Sequence, residues 1–154
     1  MPDSSPSGAA APAWPAEVAL PTLDGIRDAA ARIGTHQMVT PLIRSELLSR
    51  AFAADIWLKN ETVSPVASFK LRGALTALLR ARERGPVAGA VSSSTGNHGQ
   101  GVAYAARLLD LPCTIFLPEN ANPVKRAMIA ALGAAVHEVG HDIDAAKKQA
   151  LAFC

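Results

Sequence analysis

The chain has 154 residues, which suits one domain or a little more, and its 49% hydrophobic content is enough for a packed core. Charged residues make up 18%, below the usual share for a globular chain. The net charge is only +2, with Lys and Arg scattered rather than clustered, which argues against nucleic acid as the main partner.

No apolar run approaches the length of a membrane span, and no Lys or Arg precedes Arg27 to make the basic region of a signal peptide. The two cysteines, Cys113 and Cys154, have neither metal-ligand spacing nor the look of a disulfide framework. The composition points to a reducing cytoplasm, with no membrane partner.

Residues 1–20 are rich in Ala, Pro and Ser without periodicity and read as a disordered tail. Thr22 opens a helix with Ile26, Ala29, Ala30 and Ile33 on one stripe and Gly34 at its end. Thr40-Pro41-Leu42 is extended, because proline pushes the residue before it out of the helical region. Glu46 to Ala53 reads as a short helix and Ile56–Lys59 as a short strand. Ser68 then caps a helix that carries Lys70 in its first turn. Leu71, Ala74, Leu75 and Leu78 form its apolar stripe, and Gly85-Pro86 stops it.

From there strands and helices alternate. Val87 to Val91 reads as a buried strand, Ser92 to Gly96 as a turn, and Val102, Ala105, Ala106 and Leu109 as one face of a helix. Cys113–Leu117 is a second strand. Asn122-Pro123 opens the next helix, which ends at Gly133. Ala135–Val139 is a third strand, and Asp142 caps a last helix. This alternation predicts an α/β fold with a parallel sheet, whose ligands bind at the carboxyl ends of the strands. Lys70, the Ser92–Gly96 turn, Pro118–Asn122 and Gly140 would all gather at that edge.

Lys70 sits at the positive end of its helix dipole, which disfavours the charged amine, and burial would add to that effect. A neutral lysine suits Schiff-base chemistry. An arbitrary helix lysine is ordinarily a solvated surface residue, so this feature needs a partner. Ser94-Thr95-Gly96-Asn97-His98-Gly99 supplies one, as hydroxyls, a permissive glycine and a helix N-terminus make an anion site. Its spacing matches neither a dinucleotide fingerprint nor a nucleotide-triphosphate loop, so a small carboxylate is the expected anion. Asn97 capping its helix and His98 facing water are the plain alternatives. Gly99 and Gly101 cost helix stability and suggest close approach of other atoms. His137 and His141 are separated by a strand end and Gly140, so no metal site is expected.

Lys59-Asn60-Glu61 through Pro65-Val66-Ala67-Ser68-Phe69-Lys70-Leu71-Arg72-Gly73-Ala74 resembles the cofactor-lysine segment of the fold type II pyridoxal-phosphate enzymes. Within them it is most similar to the serine/threonine dehydratases, or threonine ammonia-lyases. Ser94 through Gly101 resembles the substrate-carboxylate loop of that group. Thr40-Pro41-Leu42 and Leu117-Pro118-Glu119, with Lys125 shortly after, match in order and spacing. The resemblance covers residues 22–154.

It implies a three-layer, parallel-sheet fold of the tryptophan synthase β-like kind and pyridoxal 5'-phosphate as cofactor. Lys70 would hold the cofactor and serve as acid and base at the substrate Cα. Asn97 would hydrogen-bond the ring's phenolic oxygen, and Phe69 would pack near the ring. Ser94, Thr95, Gly96 and His98 would line the carboxylate site. The reaction implied is β-elimination on threonine or serine, giving a 2-oxo acid and ammonia.

Three departures qualify this. Thr95 stands where many dehydratases have alanine or serine, and a hydroxyl there is what related racemases use as a second base. Ser64 and Ala67 replace more usual glutamine and glycine or phenylalanine. Family members are also much longer, and their phosphate-binding loop and pyridine-nitrogen partner come later in the chain. The expected division is residues 21–65 from the large cofactor domain and residues 66–154 as the small domain, with the rest of the large domain absent and its apolar docking faces exposed. A racemase, a β-replacement synthase, a silent α/β remnant and one piece of a split enzyme are the alternative readings. The full-length form would be a homodimer or larger homo-oligomer.

Overall fold

The computed structural model describes residues 20–154, so the expected tail lies, Leu20 apart, outside the described residues. The first helix, α1 (Leu23–Ile33), begins at Thr22, whose Oγ1 accepts the Gly25 N–H at 3.1 Å. Its expected stripe is covered only at one end: Ile33 is buried and Ile26 is exposed.

Strand β1 (Leu42–Arg44), helix α2 (Glu46–Phe52) and strand β2 (Trp57–Lys59) form a small unit. Ser45 caps α2 by accepting the Leu48 N–H at 3.3 Å. The two strands pair antiparallel, with Leu42 opposite Lys59 and Arg44 opposite Trp57. Leu42, Ile43, Trp57 and Leu58 are all exposed.

The alternating region follows as α3 (Lys70–Arg84), β3 (Ala90–Ser93), α4 (Asn97–Leu108), β4 (Cys113–Leu117), α5 (Pro123–Ala131), β5 (Ala135–Glu138) and α6 (Ile143–Phe153). The strands form one parallel sheet in the order β3-β4-β5. Side chains alternate across β4. Ile115 and Leu117 pack with Leu71, Leu75 and Ile129, while Phe116 packs with Ala146 and Ala150. Helices α4 and α5 therefore cover one face and α6 the other, a three-layer arrangement with α3 packed outside α4. Leu71, Leu75, Ile115, Leu117 and Ile129 are all but inaccessible to water. Burying each stabilises the fold by about 1.5–3 kcal/mol.

Asn122 caps α5 through Oδ1, which accepts the N–H groups of Val124 and Lys125, and Asp142 caps α6 by accepting that of Ala145. Several ends shift by one residue, as at β2 and β5, and two boundaries differ in a way that bears on the site. The strand expected over Val87–Val91 runs instead over Ala90–Ser93, because Ser92 and Ser93 pair with Ile115 and Phe116. Two of the residues expected in the turn are thus strand. Helix α3 starts at Lys70 with Phe69, not Ser68, at the cap position. The Ser68 hydroxyl still accepts the Lys70 N–H at 3.3 Å. No described helix is long and apolar enough to cross a membrane.

Candidate active site

The segment before Lys70 is held by its own serines. Ser64 Oγ accepts the Ser68 N–H at 3.0 Å and donates to the Ser68 carbonyl at 3.1 Å. Between them Ala67 has a left-handed backbone, φ 48°, where glycine is favoured. This closed turn delivers the chain into α3 with Lys70 as its first residue. Lys70 is exposed, so the burial that would have added to the dipole effect is absent. Its Nζ lies 5.0 Å from the centroid of the exposed Phe69 ring.

A charged clamp fixes the first turn of α3. Arg72 Nε and Nη2 donate to the two Glu61 carboxylate oxygens at 3.0 and 2.7 Å. Arg72 Nη2 also reaches Thr40 Oγ1 at 3.0 Å, and that hydroxyl donates to Glu61 at 2.7 Å. Lys59 Nζ donates to the Thr40 carbonyl at 2.6 Å. The Arg72 guanidinium, opposed by partial burial, holds the Glu61 carboxyl below its usual range. The sequence supplied these four residues as motif positions but gave them no role, since their meeting depends on the β1–β2 pairing.

The second half of the site follows β3. Ser94 is buried, and its Oγ accepts the N–H groups of Gly96 at 3.0 Å and Gly99 at 2.8 Å. The first intrahelical bond of α4 runs from Gln100 N–H to the Gly96 carbonyl. The N–H groups of Asn97 and His98 are left for an outside acceptor. The Ser94 hydroxyl thus shapes the turn, whereas Thr95 is exposed beside it. Asn97 is the first residue of α4 and not its cap. Burial, and secondarily the charge of Lys70, pushes the His98 imidazole below its ordinary value.

Gly101 brings the halves together, for it faces the peptide between Lys70 and Leu71 across the α3–α4 contact. Gly99 makes room for Ile129, Ser94 and Ile115 in the same way. A cavity of about 570 Å³ is lined by Phe69, Ser68 and Asn97 together with Ile43, Leu58 and Glu61. Lys70, Ser94, Thr95, Gly96 and His98 are not among its walls. The Glu119 N–H bonds the Gly140 carbonyl at 2.8 Å, joining the ends of β4 and β5 at the same edge of the sheet. Lys125, a motif position to which the sequence assigned no role, donates through Nζ to Asn97 Oδ1 at 2.7 Å. His137 stacks on Phe116 and His141 pairs with Glu119, and among the described residues no group of three metal-ligating side chains assembles.

A helix-start lysine and a turn with two unpaired backbone donors lie at the same edge of the parallel α/β sheet, where ligands of such sheets bind. The sequence of residues 33–153 matches the family described as pyridoxal-phosphate dependent enzyme, and the chain belongs to that family. Its α/β architecture is accordingly of fold type II.

An L-threo-3-hydroxyaspartate ammonia-lyase of Saccharomyces cerevisiae is 36% identical over 115 residues, 75% of this chain and 35% of that protein. An L-threonine ammonia-lyase of Thermotoga maritima is 36% identical over 130 residues, 84% of this chain and 32% of that protein. Among solved structures, a pyridoxal 5'-phosphate-dependent aspartate racemase superposes with a TM-score of 0.79 at 33% identity, covering 86% of this chain and 42% of that one. The chain therefore spans about a third of the length of these curated relatives. The residues present fit one end of the cofactor. They offer an exposed amine, a cavity walled by an aromatic ring and an amide, and two unpaired backbone donors nearby.

Proposed function

We propose that this chain supplies the lysine-bearing and carboxylate-binding part of an enzyme that eliminates water and then ammonia from threonine or serine. The observation that supports this reading is the packing of the Lys70–Leu71 peptide on Gly101, which sets the start of α3 against α4. When bound, the cofactor supplies an electron sink that acidifies the substrate Cα–H. Lys70 Nζ would hold the cofactor through its carbonyl and, as a free amine, would accept the substrate Cα proton. Asn97 would donate to the cofactor's phenolic oxygen and Phe69 would pack near its ring, both being walls of one cavity. The N–H groups of Asn97 and His98, at the start of α4, receive the substrate carboxylate. Loss of the β-hydroxyl as water, and return of water at Cα, yields the 2-oxo acid and ammonia.

The two separate sheets support assigning residues 21–65 to a larger cofactor domain and 66–154 to a smaller one. Free Cys113 and Cys154 accord with a reducing cytoplasm. A second reading, racemisation, is favoured by one observation: Thr95 presents an exposed hydroxyl at the carboxylate turn.

The test is titration of the purified chain with pyridoxal 5'-phosphate. A visible band that Lys70→Ala abolishes is expected, and no band at excess cofactor would overturn attachment at Lys70. Complemented with the remaining part of the Thermotoga maritima relative, the chain is expected to convert threonine to 2-oxobutanoate. Formation of a D-amino acid without 2-oxo acid would select the racemase.

A further inference from the structure

Lys125 occupies the first turn of α5, a helix with no acidic residue there. A cation at a helix N-terminus works against the macrodipole. Its stem runs past Gly96, where a β-carbon would meet Lys125 Cγ at 3.7 Å and Cδ at 3.9 Å. The ammonium ends between two amides, 2.7 Å from Asn97 Oδ1 and 3.4 Å from Gln100 Oε1. Gln100 is fully buried, with its Nε2 turned to Met128 Sδ at 3.0 Å. Its oxygen is therefore directed at Lys125.

An ammonium only donates, so it accepts no contact from an amide nitrogen. Bonding to Lys125 consigns Oδ1 of Asn97 to the α5 side. The NH₂ group must then point the other way, and Asn97 is a wall of the cavity it shares with Phe69 and Ser68. Without Lys125 the amide could turn over and offer an acceptor instead. We propose that Lys125 is a positioning residue that locks the Asn97 amide with its N–H donor toward the cavity, and so makes the site selective for an anionic or phenolic oxygen at that point. The cofactor part of this inference rests on the proposed function, in which Asn97 meets the phenolic oxygen. The amide lock itself does not.

The experiment uses the full chain and two variants. Lys125→Met keeps the apolar stem and removes the donor, and Lys125→Arg restores one. In the cofactor-free chain, ¹⁵N relaxation of the Asn97 side-chain amide, identified by its loss in Asn97→Asp, is expected to report a rigid group. Lys125→Met is expected to make it mobile while leaving the unfolding midpoint in place, and Lys125→Arg to restore much of the rigidity. With pyridoxal 5'-phosphate, Lys125→Met is expected to raise the dissociation constant about tenfold, the worth of one charge-assisted bond held in register. The same variant is expected to shift the pH midpoint of the visible band.

An Asn97 amide equally rigid in Lys125→Met would overturn the lock, whatever the cofactor does. A mobile amide with an unchanged dissociation constant and band would overturn the role toward the cofactor. A wild-type chain with no Lys70-dependent band would overturn the functional reading, and with it that role, while the relaxation result still decides the lock.

Discussion

A β-carbon on Gly101 would stand 3.0 Å from the Lys70 carbonyl carbon and 3.1 Å from the Leu71 nitrogen. Those atoms are backbone, so they cannot swing aside as a side chain would. Alanine at this position recovers about 1 kcal/mol of helix propensity. Against that stands an overpacking cost of about 1–3 kcal/mol, and the fixed geometry of the facing peptide lets the cost prevail. Gly101→Ala is therefore expected to lower the unfolding midpoint and to weaken retention of cofactor at Lys70 by forcing α3 from α4. Calorimetry and cofactor titration on the same samples check this. An unchanged or raised midpoint would show that the contact is looser than described.

The clamp from Arg72 to Glu61 predicts an acid-sensitive contribution to stability. Because the folded chain holds the Glu61 carboxyl below its usual value of 4.5, the unfolded chain binds more protons as the pH drops. The contribution is complete above about pH 4.5 and is lost as the pH falls through the lowered folded value. Glu61→Gln is expected to lose about 1.5–3 kcal/mol at neutral pH, the range for hydrogen bonds to charged groups. Wild type and variant are expected to converge at low pH in urea unfolding. Parallel curves would show that the pair adds nothing pH-dependent.

His98 makes a separate spectroscopic prediction. Burial is the larger cause of its depression and the charge of Lys70 the smaller. Its NMR titration midpoint is expected below the ordinary 6.5. Removing the charge with Lys70→Met is expected to raise the midpoint only part of the way. Full recovery would mean that charge, not burial, dominates. Since the folded state resists this proton, stability should fall as the pH drops from 6.5 toward the folded midpoint.

Local rules made much of this chain legible. Cys113–Leu117 is a strand and Asn122-Pro123 a helix start because apolar run length and cap chemistry act within a few residues. Lys70 could be placed at a helix start, and Gly101 flagged as a close approach, for the same reason. β3 was misplaced because its last residues are serines, whose strand character comes from pairing with Ile115 and Phe116. The bond from Lys125 to Asn97 spans 28 residues and that from Arg72 to Thr40 spans 32, and neither follows from any local pattern. What the sequence concealed was therefore the support around the site, which exists only once separate elements have packed.

The cysteines give a prediction that depends on the sheet alone. Cys113 begins the central strand β4, and burial pushes its thiol from 9.0 up to about 11. Cys154 is exposed, and its Sγ donates to the Ala150 carbonyl at 3.3 Å. Thiolate is the reactive form, so at pH 8 the shift alone slows Cys113 roughly a hundredfold relative to an unperturbed thiol. Steric exclusion within the sheet slows it further. A thiol reagent is expected to label Cys154 rapidly and Cys113 only on unfolding, so that the slow phase follows the denaturant dependence of stability. Equal rates at the two sites in native buffer, with Cys154→Ser as the control for assignment, would show that the β3–β4–β5 sheet opens to solvent without global unfolding.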